Sequence, residues 1–188
     1  MPFAFQRRRG TTAQHASFTG LLGELTVDTD KDVVVVHDGA TAGGFPLARA
    51  QGGTLTDTVV RGLEEDVNVV ASAATGTINF EFGTASVWYY TSNATANHTL
   101  NFRYSSSVSL NTALATGDTI TLVWLNTNGT TAYYPSTIQI DTTTVTPKWQ
   151  GGTAVAAGNA SSIDAYVFTI IKTASATFTV LASQTKFA

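Results

Sequence analysis

A run of four valines, Val33–Val36, leads directly into His37, Asp38 and Gly39. Histidine and aspartate are the residue types that serve as a catalytic base and its orienting group. Neighbouring residues on an extended chain point to opposite faces, so His37 and Asp38 do not readily pair with each other. Glycine after aspartate is typical of a turn, because glycine adopts positive φ without strain and aspartate bonds its own backbone. We therefore predict a structural turn at His37, Asp38 and Gly39.

Metal binding is a second chemistry that the residue types allow. The stretch Asp28–Asp32 holds three carboxylates, but it lacks the glycine at loop position six and the distant glutamate of an EF-hand. The histidines, His15, His37 and His98, have no partner at ligand spacing, and the absence of cysteine excludes thiolate sites and disulfides. We predict a solvated hairpin loop at Asp28–Asp32, no metal and no cofactor.

Glycoside hydrolysis requires two carboxyl groups about 5–9.5 Å apart across a groove. Residues 77–188 contain four carboxylates, each at a predicted strand end or turn: Glu81, Asp118, Asp141 and Asp164. The chain has no G-x-S-x-G nucleophile elbow and no glycine-rich phosphate loop. We predict that it is not an enzyme, and a polysaccharide depolymerase with a site between subunits stays open as the less favoured alternative.

Aromatic clusters offer a binding function instead. On a strand, Trp88 and Tyr90 lie on one face, and Tyr133 and Tyr134 precede a proline. Aromatic rings exposed in a groove stack on sugars and anchor partners, although such rings more often belong to a core or a subunit interface. Trp88, Tyr90, Tyr133 and Tyr134 are therefore the candidate receptor- or glycan-binding residues of a lectin-like alternative.

Short β-type runs separated by Gly, Asn, Pro and Ser position these residues. ELTVD (24–28) and Val33–Val36 predict a hairpin with a four-residue loop. Eight further runs follow, at residues 78–82, 87–90, 99–104, 119–125, 136–140, 145–149, 164–171 and 176–182. They predict a mainly β chain: a small N-terminal β-hairpin module and an antiparallel, jelly-roll-like β-sandwich in the C-terminal part.

The segment 55–70 fits two patterns. Its apolar residues recur at helical spacing, whereas Gly62 and the β-branched residues oppose a helix and the tail alternates as a strand does. We favour a connector that runs into a strand from about Val67. The predicted organisation is an N-terminal fibre or attachment module (1–52), a connector (53–76) and a C-terminal β-sandwich domain (77–188).

The valine run predicts association between copies. Val33, Val34, Val35 and Val36 place apolar side chains on both faces of one strand, so both faces require cover. A module of some fifty residues without disulfides or metals buries too little surface alone. We predict that the second face meets another copy of the chain, with Val33–Val36 as interface candidates; the alternative is cover from the C-terminal domain.

Composition and charge argue against nucleic-acid and membrane partners and favour association between proteins. Charged residues make up only 12% of the chain, and residues 77–188 hold four Lys/Arg against four Asp/Glu, a nearly neutral body that favours association. Arg7, Arg8 and Arg9 on an acidic chain are a poor footprint for nucleic acid. No apolar run approaches a membrane span, and the arginines stand where a signal peptide needs its apolar core. We expect no nucleic-acid partner, no membrane insertion and no signal peptide.

Two sets of motifs resemble bacteriophage virion proteins. RRGTTAQHASFTGLLGELTVDTDKDVVVVHDGATAGGFPLAR (8–49) resembles the N-terminal module of phage tail-fibre and related virion fibre proteins, with its R-G-T start, G-E-L-T-x-D-T-D hairpin and H-D-G-x-T-x-G-G turn. Residues 75–188, with a T-x-N strand, a K-W-x-G-G-T turn and a D-x-Y-x-F hairpin, resemble a β-rich domain of phage virion proteins.

The resemblance implies a homotrimeric, non-enzymatic virion fibre protein. Such a protein is carried as a tail, collar or capsid appendage, is made in the host cytoplasm, and serves attachment and host adhesion. The implied partners are other virion proteins of the tail, collar or capsid and a host surface glycan. Host, receptor and position on the particle do not follow from the sequence.

Overall fold

The structure is a computed structural model that describes residues 7–47 and 64–188. Contacts divide the chain into two compact units, Met1–Gly62 and Leu63–Ala188. Residues 55–63 of the segment 55–70 lie outside the described residues.

The N-terminal unit is a small four-stranded sheet with one short helix. Its elements are β1 (Arg9–Gly10), α1 (Thr12–Ala16), β2 (Leu25–Asp28), β3 (Val33–Val36) and β4 (Phe45–Pro46). The strand order is β1-β2-β3-β4, with β1 and β2 parallel and the other pairs antiparallel. The hairpin of β2 and β3 is therefore confirmed, and Val34 pairs with Val27 in it.

A capping box starts the helix of this unit. The Thr11 side chain accepts a hydrogen bond from the Gln14 N–H at 3.2 Å, and the Gln14 side-chain oxygen accepts from the Thr11 N–H at 2.9 Å. These two bonds satisfy donors that the first helical turn leaves free. They fix a helix of five residues, which is too short to be stable without packing.

The C-terminal unit consists almost entirely of strands. They are β5 (Val67–Ala73), β6 (Gly76–Glu81), β7 (Val87–Ser92), β8 (His98–Arg103), β9 (Thr119–Asn128), β10 (Pro135–Ile140), β11 (Thr143–Val145), β12 (Lys148–Trp149), β13 (Ser162–Ala174) and β14 (Thr177–Phe187). A short helix, α2 (Leu110–Ala113), precedes β9, and a 3₁₀ turn (Gln150–Gly152) follows β12. All eight C-terminal runs predicted as β structure contain strands.

The strand β5 also revises the expected organisation. It begins at Val67, where the sequence favoured a strand, but it pairs with β7 inside the C-terminal unit. The compact unit begins at Leu63, so residues 67–76 are not part of a connector. The physical reason is hydrogen bonding: an isolated strand leaves its backbone groups unpaired, whereas β5 finds a partner in the sheet.

Two sheets form the sandwich, with orders β11-β10-β8-β6 and β12-β14-β13-β9-β7-β5. From β5 to β10 the chain alternates between the sheets, so strands two apart in sequence become neighbours and run parallel: β5 with β7, β7 with β9, β6 with β8 and β8 with β10. The prediction of an antiparallel, jelly-roll-like sandwich is wrong in this respect. Only the pairs β9–β13, β13–β14 and β10–β11 are antiparallel, while β12 and β14 are parallel.

The core lies between the two sheets and is rich in aromatic rings. The rings of Phe102 and Phe168, one from each sheet, have centroids 5.0 Å apart. Trp124, Tyr166 and Phe80 are fully buried. Burial of a large apolar side chain contributes roughly 1.5–3 kcal/mol, so this layer is the main source of the unit's stability.

Polar side chains attach the short helix α2 to the sandwich at both ends. The Asp141 carboxylate accepts hydrogen bonds from the N–H groups of Leu110 (2.7 Å) and Asn111 (2.9 Å). The buried Lys172 ammonium donates to the carbonyls of Asn111 (2.6 Å) and Leu114 (2.8 Å). The negative and positive charges lie at the ends that favour them electrostatically. None of the helices in the described residues is long and apolar enough to cross a membrane.

Candidate functional site

The residues after β3 form a turn that is held by three hydrogen bonds to the Asp38 side chain. The Asp38 carboxylate accepts from the Ala40 N–H (2.9 Å), the Thr41 N–H (2.7 Å) and the Thr41 hydroxyl (2.7 Å). The backbone bonds from Thr41 and Ala40, with the Thr41 hydroxyl, lower the pKa of Asp38 to about 2. Gly39 has φ +80°, which favours glycine. Asp38 is exposed and His37 is buried, so they lie on opposite sides of the chain and form no catalytic pair.

His37 belongs instead to a buried chain of hydrogen bonds, and its partners fix the direction of each bond. The Gly20 N–H donates to His37 Nδ1 at 3.3 Å, so His37 carries its proton on Nε2 and donates to Thr26 Oγ1 at 2.9 Å. The Thr26 hydroxyl then donates to His15 Nε2 at 2.8 Å, and His15 Nδ1 donates to the Thr11 carbonyl at 3.0 Å. Every ring nitrogen of His15 and His37 has a hydrogen-bond partner. This series of hydrogen bonds joins α1 to β2 and to the residue that follows β3.

Sequence analysis missed this role of His37 because the partner residues lie far from it in the chain. His15 and Thr26 are separated from each other by eleven residues, as are Thr26 and His37. No short motif has that spacing. The alternation of β2 gave the opposite signal, because it sets Leu25 and Val27 on one face and Thr26 on the other, and an apolar face is normally the buried one. The structure instead buries Thr26, which is 1% exposed and needs its hydrogen-bond partners.

Two glycines leave room for the His37 ring. A Cβ atom at Gly20 would lie 2.5 Å from His37 Cγ, and one at Gly44 would lie 2.7 Å from His37 Nδ1. Both distances are well below van der Waals contact. Glycine at these two positions is therefore a steric requirement of the buried histidine.

We expect Gly20→Ala to destabilise the N-terminal unit by roughly 1–3 kcal/mol, the typical cost of overpacking a core. Hydrogen exchange of the amides in β2 and β3 measures the loss, because local opening of the unit exposes them. The control is the same substitution in a His37→Gly background, which removes the ring and also the His37 Cβ atom, itself only 2.9 Å from the added methyl group. Equal losses in both backgrounds would contradict the steric assignment.

The opposite side of the same sheet is apolar and open. Register pairing places Leu25, Val36 and Phe45 in one row across three strands, and Val27 and Val34 in the next row. The Leu47 N–H bonds the Val34 carbonyl, so Leu47 continues the second row in sequence. Phe45 and Leu47 are each 54% exposed, and the other four side chains are partly exposed. We call these six residues, Leu25, Val27, Val34, Val36, Phe45 and Leu47, the module face.

The valine strand thus has two different sides. Val33 (9% exposed) and Val35 (2% exposed) point into the unit's own core, so they are not available as subunit-interface residues. Val34 and Val36 belong to the module face. The prediction for Val33–Val36 is corrected accordingly: strand alternation gives each side two valines, and α1 with its histidine chain covers only one side.

In the acidic hairpin loop, the Asp28 carboxylate accepts hydrogen bonds mainly from backbone N–H groups. Asp28 is buried and accepts hydrogen bonds from the Thr12 hydroxyl (2.7 Å) and the N–H groups of Asp30 (3.0 Å) and Lys31 (3.3 Å). Burial opposes its charged form, but these bonds outweigh burial and lower the pKa of Asp28. Asp28 is therefore buried, whereas the sequence led us to expect a solvated loop at Asp28–Asp32. Among the described residues, no group of three or more His, Asp or Glu side chains is arranged to hold a metal ion.

The aromatic candidates of the C-terminal unit lie on or in its core. Trp88 is 9% exposed, and its ring stacks on Phe80 with centroids 5.0 Å apart. Tyr90 lies 4.6 Å from the ring of Trp124, and burial raises the pKa of its hydroxyl. Tyr133 and Tyr134 are partly buried against the same core. Trp88 is thus closed to a ligand in the single chain, whereas the three tyrosines keep part of their surface.

A buried polar network occupies one end of the inner face beside these tyrosines. The fully buried Asp164 carboxylate accepts hydrogen bonds from Asn128 Nδ2 (3.2 Å), the Asn159 N–H (2.8 Å), Asn159 Nδ2 (2.7 Å) and Gln184 Nε2 (3.3 Å). Burial and the neighbouring Asp164 charge raise the pKa of Tyr166. Asp164 therefore fixes the loop before β13 to the sheet, a structural task that occupies both of its oxygens.

The other three carboxylates that the sequence singled out, Glu81, Asp118 and Asp141, are also engaged. Glu81 forms an ion pair with Arg103 at 2.6 Å, and Asp118 accepts from the Ala115 N–H at 2.8 Å. Asp141 caps α2, as described above. Each of these groups is bonded to its own neighbourhood, so the geometry gives no support to a hydrolase.

Comparisons with known proteins concern the N-terminal unit. Residues 6–41 match the family described as "Major tropism determinant N-terminal domain". A 49-residue stretch is 76% identical to the "Tail fiber receptor-binding protein" of Bordetella phage BPP-1. That stretch covers 26% of this chain and 13% of the relative, so the chain matches only a small part of the relative's length.

Solved structures match a similar share of this chain in sequence. The "Major Tropism Determinant M1 Variant" and the "Major Tropism Determinant I1 Variant" are each 78% identical over 24% of this chain and 12% of theirs, with a TM-score of 0.24. The N-terminal sequence therefore resembles that of phage tail-fibre proteins, as its motifs predicted.

Proposed function

We propose that this chain is a non-enzymatic structural protein of a bacteriophage virion, a homotrimeric fibre protein for attachment and host adhesion. The observation that carries the proposal is the module face, an open apolar surface on the unit whose sequence matches a tail-fibre receptor-binding protein over 49 residues. The protein would be carried on the particle as a tail, collar or capsid appendage. Its partners would be other copies of itself, other virion proteins and the host surface.

The module face supports assembly on energetic grounds. Burying apolar surface contributes about 25 cal/mol per Å², and a large side chain such as Phe45 or Leu47 contributes roughly 1.5–3 kcal/mol when fully covered. The unit is too small to gain much stability from its single internal side. Packing of the six residues of the module face against other copies would supply apolar burial that the single chain lacks.

A three-fold arrangement fits an adhesive role. Three copies present three identical C-terminal units, and linked weak contacts give an avidity far above that of any one contact. The C-terminal unit would form the body that touches the particle or the host. The lectin-like and depolymerase alternatives are not favoured, because Trp88 lies in the core and the carboxylates bond backbone or structural partners.

Native mass spectrometry and light scattering test the assembly. We expect a complex with three times the chain mass of 19.7 kDa. We expect Phe45→Asp to dissociate it, because a carboxylate buried between copies carries a desolvation penalty of several kcal/mol. Phe45 is 54% exposed in the single chain, so the unit itself should still fold.

The matched control is Leu22→Asp, which introduces the same charge at a leucine that is 82% exposed and lies outside the module face. This variant should keep the wild-type mass. A wild-type protein that is monomeric at micromolar concentration would refute the assembly, and a stable dimer would refute its three-fold symmetry. Retention of the trimer by Phe45→Asp would show that the module face is not the interface.

A further inference from the structure

The two outer faces of the C-terminal sandwich have opposite character. On the four-stranded sheet, register pairing aligns Thr77, Thr99 and Thr137 in one row. Asn79, Asn101 and Gln139 form the next row, and the Glu81–Arg103 ion pair continues this side. Every side chain in these rows is polar, and all except the buried Asn101 are at least partly exposed, as expected of a face that meets water.

The outer face of the six-stranded sheet carries apolar side chains at the corresponding positions. Val67, Val87, Val123 and Val167 align in one row across β5, β7, β9 and β13. Val69, Tyr89 and Leu125 form the adjacent row on the first three of these strands. Val67 is 45% and Val69 is 62% exposed, and the other side chains are partly exposed. We call these seven residues the valine face.

The outer face of the four-stranded sheet is thus polar, whereas the outer face of the six-stranded sheet carries the apolar valine face. In β9, Val123 and Leu125 point outward although the inward side ends in two buried polar residues, Asn126 and Asn128. An apolar cluster of this extent lies within the range that a single protein can expose, and the largest such patches are often binding surfaces. Lys148, which pairs with Leu181 on an edge strand, is the charged residue that the described strand pairing brings to this side.

We propose that the valine face packs against the valine faces of the other copies in the same trimer; this rests on the proposed trimeric assembly. The faces suit each other because their seven residues are uncharged and form the same two rows of largely apolar side chains, five of them valines. A partner with a charged surface would have to desolvate those charges without any opposite charge to pair with them.

The size of the valine face favours tethered copies over a free partner. Four strands at about 4.8 Å spacing, and about 13 Å along β9 for the two rows that contain Val123 and Leu125, give a footprint of about 250 Å². A stable interface between free proteins buries about 800 Å² on each partner. The valine face alone therefore buries too little area for a stable interface between free proteins. Copies held together by their N-terminal units meet at an effective concentration of the order of mM, which makes a weak interface sufficient.

Single cysteines test this arrangement, because the chain contains no cysteine of its own. In the full-length protein, Val123→Cys places a thiol in the centre of the valine face, and Thr99→Cys places one on the polar face as the control. Each variant is treated with a short bis-maleimide and analysed by denaturing electrophoresis. We expect at least about ten-fold more covalently joined copies with Val123→Cys, since tethered faces meet at mM effective concentration.

Native mass spectrometry of the same untreated samples distinguishes failure of the trimeric assembly from failure of the packing between valine faces. A trimeric mass with equal or absent cross-linking at both positions would overturn the packing of the valine faces and leave the trimer intact. A monomeric mass would overturn the trimer and this inference with it. Val87→Cys, in the same row of the valine face, replaces Val123→Cys if that variant fails to fold, and it should give the same result.

Discussion

Trp88→Ala is expected to lower the free energy of unfolding of the C-terminal unit by about 3–5 kcal/mol, the usual cost of removing a buried aromatic side chain. The ring is 9% exposed and stacks on Phe80, so its removal leaves a cavity between the two sheets. Denaturant titration followed by tryptophan fluorescence measures the change. The signal survives the mutation, because the other two tryptophans, Trp124 and Trp149, lie in the same unit.

Tyr104→Ala is the matched control for this experiment. Tyr104 is an aromatic residue of the same unit, but it is 39% exposed and follows the end of β8. Its removal should cost clearly less than the removal of Trp88. A Trp88→Ala protein that keeps the wild-type denaturation midpoint would contradict the core assignment and would bring the glycan-binding alternative back.

Acid should destabilise the C-terminal unit through His98. Burial holds the pKa of His98 down at about 4, against 6.5 in a solvated histidine, although the Ala96 carbonyl 3.3 Å from Nδ1 opposes the shift. Because the folded pKa is depressed, the unfolded chain takes up the proton first. Stability is therefore fully present above pH 6.5, falls as the pH is lowered from there, and levels off below about pH 4. One pKa unit corresponds to 1.36 kcal/mol, so the loss is about 2 kcal/mol at pH 5 and about 3 kcal/mol in total.

The measurement is the free energy of unfolding at pH 7 and pH 5, again by tryptophan fluorescence. This reading is specific, because all three tryptophans and a single histidine, His98, lie in residues 64–188. His98→Gln is the control variant: it loses stability at pH 7 but should lack the decline between pH 7 and pH 5. If the free energy of unfolding fell equally in the wild-type and His98→Gln proteins between pH 7 and pH 5, His98 would not be the source of the decline.

The buried environment of His98 explains the size of this effect. The side chain is 2% exposed, its ring lies 5.6 Å from that of Trp124, and its Nε2 atom has no hydrogen-bond partner among the described residues. A proton on Nε2 would create a positive charge without an acceptor in an apolar layer. Such a charge is far less stable there than in water.

Strand positions could be predicted from the sequence because alternation is a local property. The run DAYVFTII (164–171) lies within β13, and the inward residues Tyr166, Phe168 and Ile170 are fully buried. Which strand lies beside β13 could not be predicted in the same way. Neighbours that are consecutive in the chain and neighbours that are two apart show the same alternation, so the parallel pairing of β5, β7 and β9 left no mark in the sequence pattern.

The candidate site was predictable to a similar degree. Aspartate and glycine signalled the turn after β3, since their backbone preferences act over two or three residues. The inward direction of His37 and its bond to Thr26 depend on how β2, β3 and α1 pack, which no local signal carries. The valine run showed that one strand had two apolar sides, but only the structure shows that Val34 and Val36 are the ones left open.

The alternation of the chain between the two sheets determines how the C-terminal unit can fold. Partners within a sheet are distant in sequence: Val67 pairs with Val87, and Ser162 pairs with Asn128. Closing such long loops costs chain entropy before any contact compensates for it, so folding should be slow for a unit of this size. The strand β13 lies between β9 and β14, so the sheet stays incomplete until Thr177–Phe187 has left the ribosome. A nascent chain therefore keeps apolar strand surface exposed until β14 has emerged, and surface exposed in this way during folding is prone to aggregation.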